Sequence, residues 1–136
     1  MDFINVLKEG NCDEIKNAIE DEQYEFYSSD AESKKINLGY SIPNYDILMN
    51  VLKCDDLGEP VINETFGDET YLKILTIYQT ENIGVYFARI EEYGPADIDA
   101  MKCYIIITND INEEAKKMIN EYENKSVIKE QKENNK

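Results

Sequence analysis

Residues 70 to 110, "TYLKILTIYQTENIGVYFARIEEYGPADIDAMKCYIIITND", decide the fold of this chain because they hold its strongest strand signals. "TYLKILTIYQT" and "GVYFARIEEY" are rich in β-branched and aromatic residues, and the "ENIG" between them is typical of a hairpin turn. "MKCYIIITND" follows as a third strand. Its unbroken run of large side chains predicts a central strand that is buried on both faces. The stretch therefore predicts an antiparallel sheet.

Helical signals flank this predicted sheet. "DFINVLKEGNCDEIKNAIEDE" predicts two short helices separated by Gly10, and Asn11 with Glu14 has the spacing of a capping box that starts the second helix. "DINEEAKKMINEY" predicts a C-terminal helix, with Asp110 or Asn112 as its cap and acids in its first turn.

The remaining segments give weaker signals. "IPNYDILMNVLKC", residues 42 to 54, predicts a further helix after Pro43 because its apolar residues recur at helical spacing. A short strand is expected at residues 24 to 27, followed by an exposed polar connection from 28 to 35. Residues 55 to 69 contain two glycine turn signals and are expected to be mostly irregular.

Together these signals predict the α+β class. We expect a single domain with an antiparallel sheet of three to five strands, helices packed on the sheet, an N-terminal helical pair and a C-terminal helix. A chain of 136 residues fits one such domain. Residues 1 to 124 are expected to form it, and residues 125 to 136 are expected to be a frayed or disordered tail because they have little to bury.

Charge is the most unusual property of the composition. The chain holds 14 basic and 29 acidic residues, for a formal net charge of −15. Such a surface repels nucleic-acid phosphates and anionic lipids, because both are bound mainly through Lys and Arg. We therefore expect no direct nucleic-acid partner and no membrane partner. A basic protein partner is favoured through long-range electrostatic steering, although acidity also serves solubility alone.

Missing residue types exclude several chemistries. The chain has no histidine, which removes the Ser-His-Asp and Cys-His nucleophile systems and the histidine-based zinc sites. Cys12, Cys54 and Cys103 are widely spaced and odd in number, so they are expected to be free thiols. There is no glycine-rich phosphate loop. We expect a non-enzymatic protein with no catalytic residues, no metal and no cofactor. The start "MDFINVLKEG" lacks the features of a secretory signal, so a cytoplasmic location is expected.

Several carboxylate groups have spacings that invite comparison with metal or catalytic sites. "DIDA" places Asp97 and Asp99 two residues apart, which suits at most weak Mg²⁺ binding. "DINEE" opens like an EF-hand loop at Asp110, but its sixth position is Ala115 instead of glycine, and the acids of a helix N-terminus explain it better. A glycosidase pair would need a sugar-sized cleft, and acids this numerous do not mark one.

Arg89 is the only arginine. It could anchor a bound anion or pair with one of the many carboxylates near it, and we favour the second, structural role.

Two acidic stretches that contain tyrosines are the candidate binding surfaces. They are "EDEQYEFY", residues 20 to 27, and "EEYGPADID", residues 91 to 99, where Gly94 and Pro95 form the corner between the second and third predicted strands. Tyrosine anchors inside a charged rim are typical of protein-binding hot spots, although the same acids could serve only to solvate the surface. The candidate partner-binding residues are Glu20, Asp21, Glu22, Tyr24, Glu91, Glu92, Tyr93, Asp97 and Asp99.

The leading hypothesis is a non-catalytic acidic inhibitor that binds a basic protein, such as an immunity protein that neutralises a nuclease-like toxin. "LGYSIPNYDILMNVL", residues 38 to 52, resembles a Leu-Gly…Pro…Tyr…Leu stretch of one family of immunity proteins, but its tyrosine lies one residue closer to Pro43 and the family's tryptophans are missing. One alternative is a phage-type anti-defence protein that mimics DNA. Others are a small-molecule-binding α+β domain with a pocket around Arg89, and a structural subunit.

Overall fold

The four strands from Ile62 to Ile107 form the centre of the fold, and the signals quoted above place three of them. The computed structural model describes residues 3–21, 28–30, 35–37, 58–95 and 99–127. The helices in these ranges are α1 (Phe3–Glu9), α2 (Cys12–Asp21) and α3 (Ile111–Glu123). The strands are β1 (Ser28–Asp30), β2 (Lys35–Asn37), β3 (Ile62–Gly67), β4 (Leu72–Gln79), β5 (Val85–Tyr93) and β6 (Asp99–Ile107).

The described strands form one antiparallel sheet in the order β1-β2-β6-β5-β4-β3. The α+β class, the N-terminal helical pair and the C-terminal helix are confirmed. The sheet has six described strands. Four of them, β3 to β6, are long, whereas β2 and the edge strand β1 have three residues each. β6 lies between β2 and β5, and four of the five residues of its predicted run, Cys103 to Ile106, are buried, whereas Ile107 is half-buried.

Local signals account for the ends of several elements. Asn11 Oδ1 accepts a hydrogen bond from Glu14 N at 2.9 Å and Glu14 Oε1 accepts one from Asn11 N at 3.2 Å, so the predicted capping box is present. Asp110, rather than Asn112, caps α3 by accepting from Glu113 N. The predicted hairpin joins β4 to β5, where Gly84 adopts a φ of 79° that other residues rarely take.

Two expectations about irregular segments are wrong. Residues 28 to 35 were expected to be an exposed connection, but Ser28–Asp30 and Lys35–Asn37 pair as β1 and β2, because the edge of β6 provides a partner that outweighs weak strand propensity. Residues 55 to 69 contain β3, which pairs with β4 over six residues. Gly67 is the last residue of the strand and Gly58 lies four residues before its start, so neither glycine interrupts it. The strand expected at 24–27 and the helix expected at 42–54 lie outside the described residues.

Each face of the sheet carries a hydrophobic core. On the first face, α1 and α2 contribute side chains such as Leu7 and Ile19, which pack with Phe87 and Ile105. On the second face, α3 packs through Met118 and other side chains against the strands. The α3-side core consists of Leu75, Ile77, Ala88, Ile90, Tyr104, Ile106, Ala115, Met118, Tyr122 and Val127. Burial on both sides explains why the central strands show continuous apolar runs.

The end of α3 is held by two buried charged residues, Lys73 and Glu92, which are cross-strand partners in β4 and β5. Lys73 Nζ donates to the carbonyl oxygen of Tyr122 and, at 2.6 Å, to that of Lys125. Glu92 accepts from Ser126 Oγ and, at 2.8 Å, from Val127 N. We call Lys73 and Glu92 the α3 clamp. It lies on the same face as α3.

The contacts of the α3 clamp extend past residue 124, the expected C-terminal boundary of the domain. Val127 is fully buried in the α3-side core, so packing continues at least three residues past the expected boundary at 124. The division into a domain of residues 1 to 124 and a tail stays a prediction for the segment beyond Val127, which lies outside the described residues.

Candidate acidic–aromatic interface

Strand alternation separates the two neighbouring acids Glu91 and Glu92. Both lie in β5, where successive side chains point to opposite faces of the sheet. Glu91 is half-buried on the face that carries α1 and α2, whereas Glu92 is fully buried on the α3 side as part of the α3 clamp. The prediction that Glu92 belongs to a partner-binding surface is therefore wrong. The predicted strand "GVYFARIEEY" does end at Tyr93, but the candidate surface included both acids without regard to the alternation of that strand.

The register of the sheet assembles a surface around Tyr93 on the face opposite α3. Tyr93 pairs with Leu72 on one side and with Asp99 on the other. The next row on the same face places Glu91 between two apolar residues. We call this surface the acidic–aromatic patch. It consists of Leu72, Ile74, Glu91, Tyr93, Asp99 and Met101.

The centre of the acidic–aromatic patch exposes apolar side chains. Leu72 is 44% exposed and Tyr93 is 41% exposed. The described part of the chain has four exposed large hydrophobic residues, and these two lie directly opposite each other in neighbouring strands. An isolated exposed apolar residue is unremarkable on a folded protein, but a contiguous pair beside acidic residues has the composition of an interface anchor.

Glu91 organises the polar contacts of the acidic–aromatic patch. Its Oε1 lies 3.1 Å from Arg89 Nε, and its Oε2 accepts a hydrogen bond from the Tyr93 hydroxyl. The hydrogen bond to Glu91 raises the pKa of Tyr93 above its usual value, and partial burial and the nearby carboxylates raise it further. Arg89 therefore pairs with a neighbouring carboxylate, as expected. The hydrogen bond to Glu91, which is itself paired with Arg89, orients the Tyr93 side chain.

The structure brings together only part of the predicted binding set. Glu91, Tyr93 and Asp99 lie side by side on one face. Glu20 and Asp21 are exposed in the last turn of α2, which packs over the other half of the same sheet face, around Phe87. The other predicted binding residues, Glu22, Tyr24 and Asp97, lie outside the described residues.

Sequence reasoning missed the apolar members of the acidic–aromatic patch. Leu72 and Ile74 lie in a segment that was predicted as a strand without assignment of its faces, and Met101 lies in the strand that was predicted to be buried on both faces. The available signal was register: once the hairpin turn is placed between β4 and β5, the face that carries Tyr93 also carries Leu72 and Ile74. The predicted turn at Gly94 and Pro95 does not by itself show which residues of the neighbouring strands share a face.

Folding makes the described surface more acidic than the composition suggests, because several basic side chains turn inward. Lys35 forms a 3.0 Å ion pair with Glu121, Lys73 belongs to the α3 clamp, Arg89 pairs with Glu91, and Lys102 is buried. Among residues whose exposure is described, five bases and fourteen acids are exposed. The exposed bases are Lys8, Lys16, Lys116, Lys117 and Lys125. The exposed acids are Glu9, Asp13, Glu14, Glu20, Asp21, Glu59, Glu64, Asp68, Glu69, Glu81, Asp99, Asp110, Glu113 and Glu123.

Two further observations limit the chemistry of the part of the chain that the structure describes. Within it, no three Cys, Asp or Glu residues converge in a way that could hold a metal ion. Nor is any described helix both long and apolar enough to cross a bilayer.

The chain matches no known protein-family model, and comparisons with curated proteins and with solved structures find no significant match. The resemblance of residues 38 to 52 to a family of immunity proteins gains no support from these comparisons, and the segment lies outside the described residues.

Cys103 lies on the same sheet face as Arg89, its cross-strand partner, and we expect its thiol to be inert in the folded protein. Burial raises the pKa of Cys103 from 9.0 to about 12, so the folded state retains the neutral thiol. The resulting stabilisation is complete below the unfolded pKa and is lost as the pH rises from about 9 towards 12. In a Cys12→Ser/Cys54→Ser variant, a thiol-specific reagent at about pH 8 should therefore modify Cys103 only as fast as the protein unfolds. Rapid stoichiometric labelling of the folded variant would contradict this.

Proposed function

We propose that this chain is a non-catalytic binding protein that docks its acidic–aromatic patch on a basic protein. The narrower form of the proposal is an inhibitor that covers a basic surface, such as the active site of a nuclease-like toxin. The observation that carries the proposal is the exposed Leu72–Tyr93 pair, in which Tyr93 has Asp99 as its other cross-strand neighbour and Glu91 in the next row on the same face.

The patch combines the parts of a protein-binding hot spot. Tyrosine is enriched at such sites because it buries a large area with little loss of conformational freedom, and Tyr93 is already oriented by Glu91. Leu72 adds apolar area beside it. Together they supply an apolar anchor, and binding of a partner would release the water that covers it.

The charges around this anchor favour a basic partner. Among the residues of β3 to β6, Arg89 is the only cation on this face, and it is paired with Glu91. Asp99 is exposed beside Tyr93, and Glu69 is exposed in the turn that precedes Leu72. A Lys- or Arg-rich surface would meet the exposed acids Asp99 and Glu69, while the one cation of this face is already paired with Glu91. This arrangement accelerates association with a basic partner and rejects acidic partners.

Charge reversal at the patch provides the test. Partners would be recovered from the native host with the tagged full chain at low and at high salt, and then purified. For a basic partner, Asp99→Lys should lower the association rate constant by about fivefold at low ionic strength, and the difference should shrink at high salt. Tyr93→Ala should weaken the dissociation constant by about tenfold, mainly through faster dissociation.

Glu81→Lys is the matched control. Glu81 is also exposed, but it lies in the β4–β5 turn at the opposite end of the sheet, and the substitution changes the net charge equally. If Glu81→Lys slows association as much as Asp99→Lys, the acidity acts as a general field and the patch is not the binding site. Failure to recover any basic protein at low salt would overturn the proposal.

A further inference from the structure

β3 presents a strand edge that has no neighbour among the described strands, because it ends the sheet beside β4. The hydrogen bonding of the β3–β4 hairpin shows which backbone groups point outward. Asp68 N donates to the carbonyl oxygen of Tyr71 at 3.1 Å, so these two residues form a hydrogen-bonded pair. The alternation of an antiparallel ladder then directs the N–H and C=O groups of Asn63 and Thr65 away from β4.

A bulge limits the length of this edge. Val61 N donates to the carbonyl oxygen of Ile77 at 2.8 Å, although Ile77 is already the register partner of Ile62. Two residues of the β3 side therefore face one residue of β4, which is the pattern of a β-bulge. Pro60, just before the bulge, has no N–H to offer. The edge that a further strand could extend runs from Ile62 to Gly67.

The side chains of β3 define what that further strand would contain. On the α3 side of the sheet, Glu64 lies between Ile62 and Phe66. Glu64 is exposed, whereas the two apolar residues are half-buried against the α3-side core. A strand added beside β3 would complete their burial with apolar residues at two alternate positions. A basic residue between those positions would lie next to Glu64.

A second copy of the chain does not meet this requirement. An antiparallel β3–β3 pairing centred on Glu64 would place Ile62 beside Phe66 but Glu64 beside Glu64. Like charges directly opposite each other destabilise a sheet, and each copy carries a formal net charge of −15. Glu64 therefore acts as a charge that protects the edge from self-association while it favours a basic strand.

We propose that the β3 edge binds an extended basic segment of a protein partner, which adds to the sheet as a seventh strand and places a Lys or Arg beside Glu64 between two apolar residues. Asp68, exposed directly after the end of β3, adds negative charge beside this edge. The inference rests on the basic partner of the proposed function and gives that partner a mode of binding distinct from the acidic–aromatic patch.

A synthetic peptide and a pair of variants test the strand addition. The probe is a nine-residue peptide with lysine at its centre, valine two positions to either side and threonine elsewhere, added to the isotope-labelled full chain. We expect the backbone amide signals of residues 62 to 67 to shift. Thr65→Pro removes an outward N–H and should weaken peptide binding by about tenfold, whereas Thr65→Ala keeps that N–H and should change it by less than about twofold.

Charge reversals in the peptide and in the protein complete the test. Replacing the central lysine of the peptide by glutamate, or Glu64 by lysine, should each abolish binding, and the two changes together should restore it. Absence of shifts at residues 62 to 67, or equal binding to Thr65→Pro and Thr65→Ala, would overturn the inference. A basic partner that binds Thr65→Pro normally but loses affinity on Asp99→Lys would leave the proposed function intact and reject only the strand addition.

Discussion

Replacing Glu92 with alanine is expected to lower the free energy of unfolding by about 3 kcal/mol, because the substitution removes a buried charged acceptor. The backbone N–H of Val127 and the hydroxyl of Ser126 would lose their partner in a place that water does not reach easily. Lys73, the cross-strand neighbour of Glu92, would lose a nearby opposite charge as well. Urea unfolding followed by circular dichroism measures the change.

Two variants serve as controls for Glu92→Ala. Glu92→Gln keeps a carbonyl oxygen that accepts from Val127 N, so about half of the loss should be recovered. Glu91→Gln changes the adjacent acid, which is half-buried and lies on the opposite face, and it should cost less than about 1 kcal/mol. Equal destabilisation by Glu91→Gln and Glu92→Ala would show that strand alternation does not separate the two residues as described.

Replacing Lys73 with methionine is expected to cost about 2 kcal/mol, because the carbonyl oxygens of Tyr122 and Lys125 would lose their donor. Methionine retains most of the aliphatic volume of lysine, so the loss reports on the hydrogen bonds and on the charge at the negative end of α3. The measurement is again the unfolding free energy from urea titration. An unchanged midpoint would mean that the Lys73 ammonium contributes nothing net after its desolvation.

The double variant Lys73→Met/Glu92→Gln tests whether the two residues stabilise the protein as one unit or independently. Lys73 and Glu92 are register partners and hold the same short segment after α3, so their effects should be non-additive by about 1 kcal/mol. Leu7→Ala in the core on the other face provides an additive reference when it is combined with either substitution.

The elements with strong local signals were predictable, and those formed by distant pairing were not. β4, β5 and β6 are dense in β-branched and aromatic residues, and the capping box at Asn11 depends only on residues three apart. β1 is the three-residue segment "SSD", which exists as a strand because β2, itself paired with β6, lies beside it. No local preference encodes that arrangement.

The roles of charged residues show the same division. The sequence identified the acids and the tyrosine around residues 91 to 99 as a candidate surface, and Tyr93 and Asp99 do lie together there. It did not indicate that Glu92 is buried or that Lys73 donates to a carbonyl 49 residues away. Charged residues are usually exposed, and the exceptions depend on partners that only the tertiary fold supplies.

The β3 edge and the acidic–aromatic patch belong to the same end of the sheet. Gly67 ends β3 and pairs with Leu72, which in turn pairs with Tyr93. A partner could therefore use both surfaces at once: an extended segment along β3, and a basic surface over Tyr93. Substitutions at Thr65 and at Asp99 would then weaken the same complex through different steps, since main-chain pairing affects dissociation and charge mainly affects association.

The α3 clamp also has a consequence for local motion. The last turn of a helix normally frays, because its final carbonyl groups lack partners and little free energy is needed to open them. In this protein the carbonyl of Tyr122 and the residues that follow α3 are bound to Lys73 of β4 and Glu92 of β5. Opening the end of α3 therefore requires breaking contacts of β4 and β5, which makes the C-terminal turn part of the same cooperative unit as the central strands.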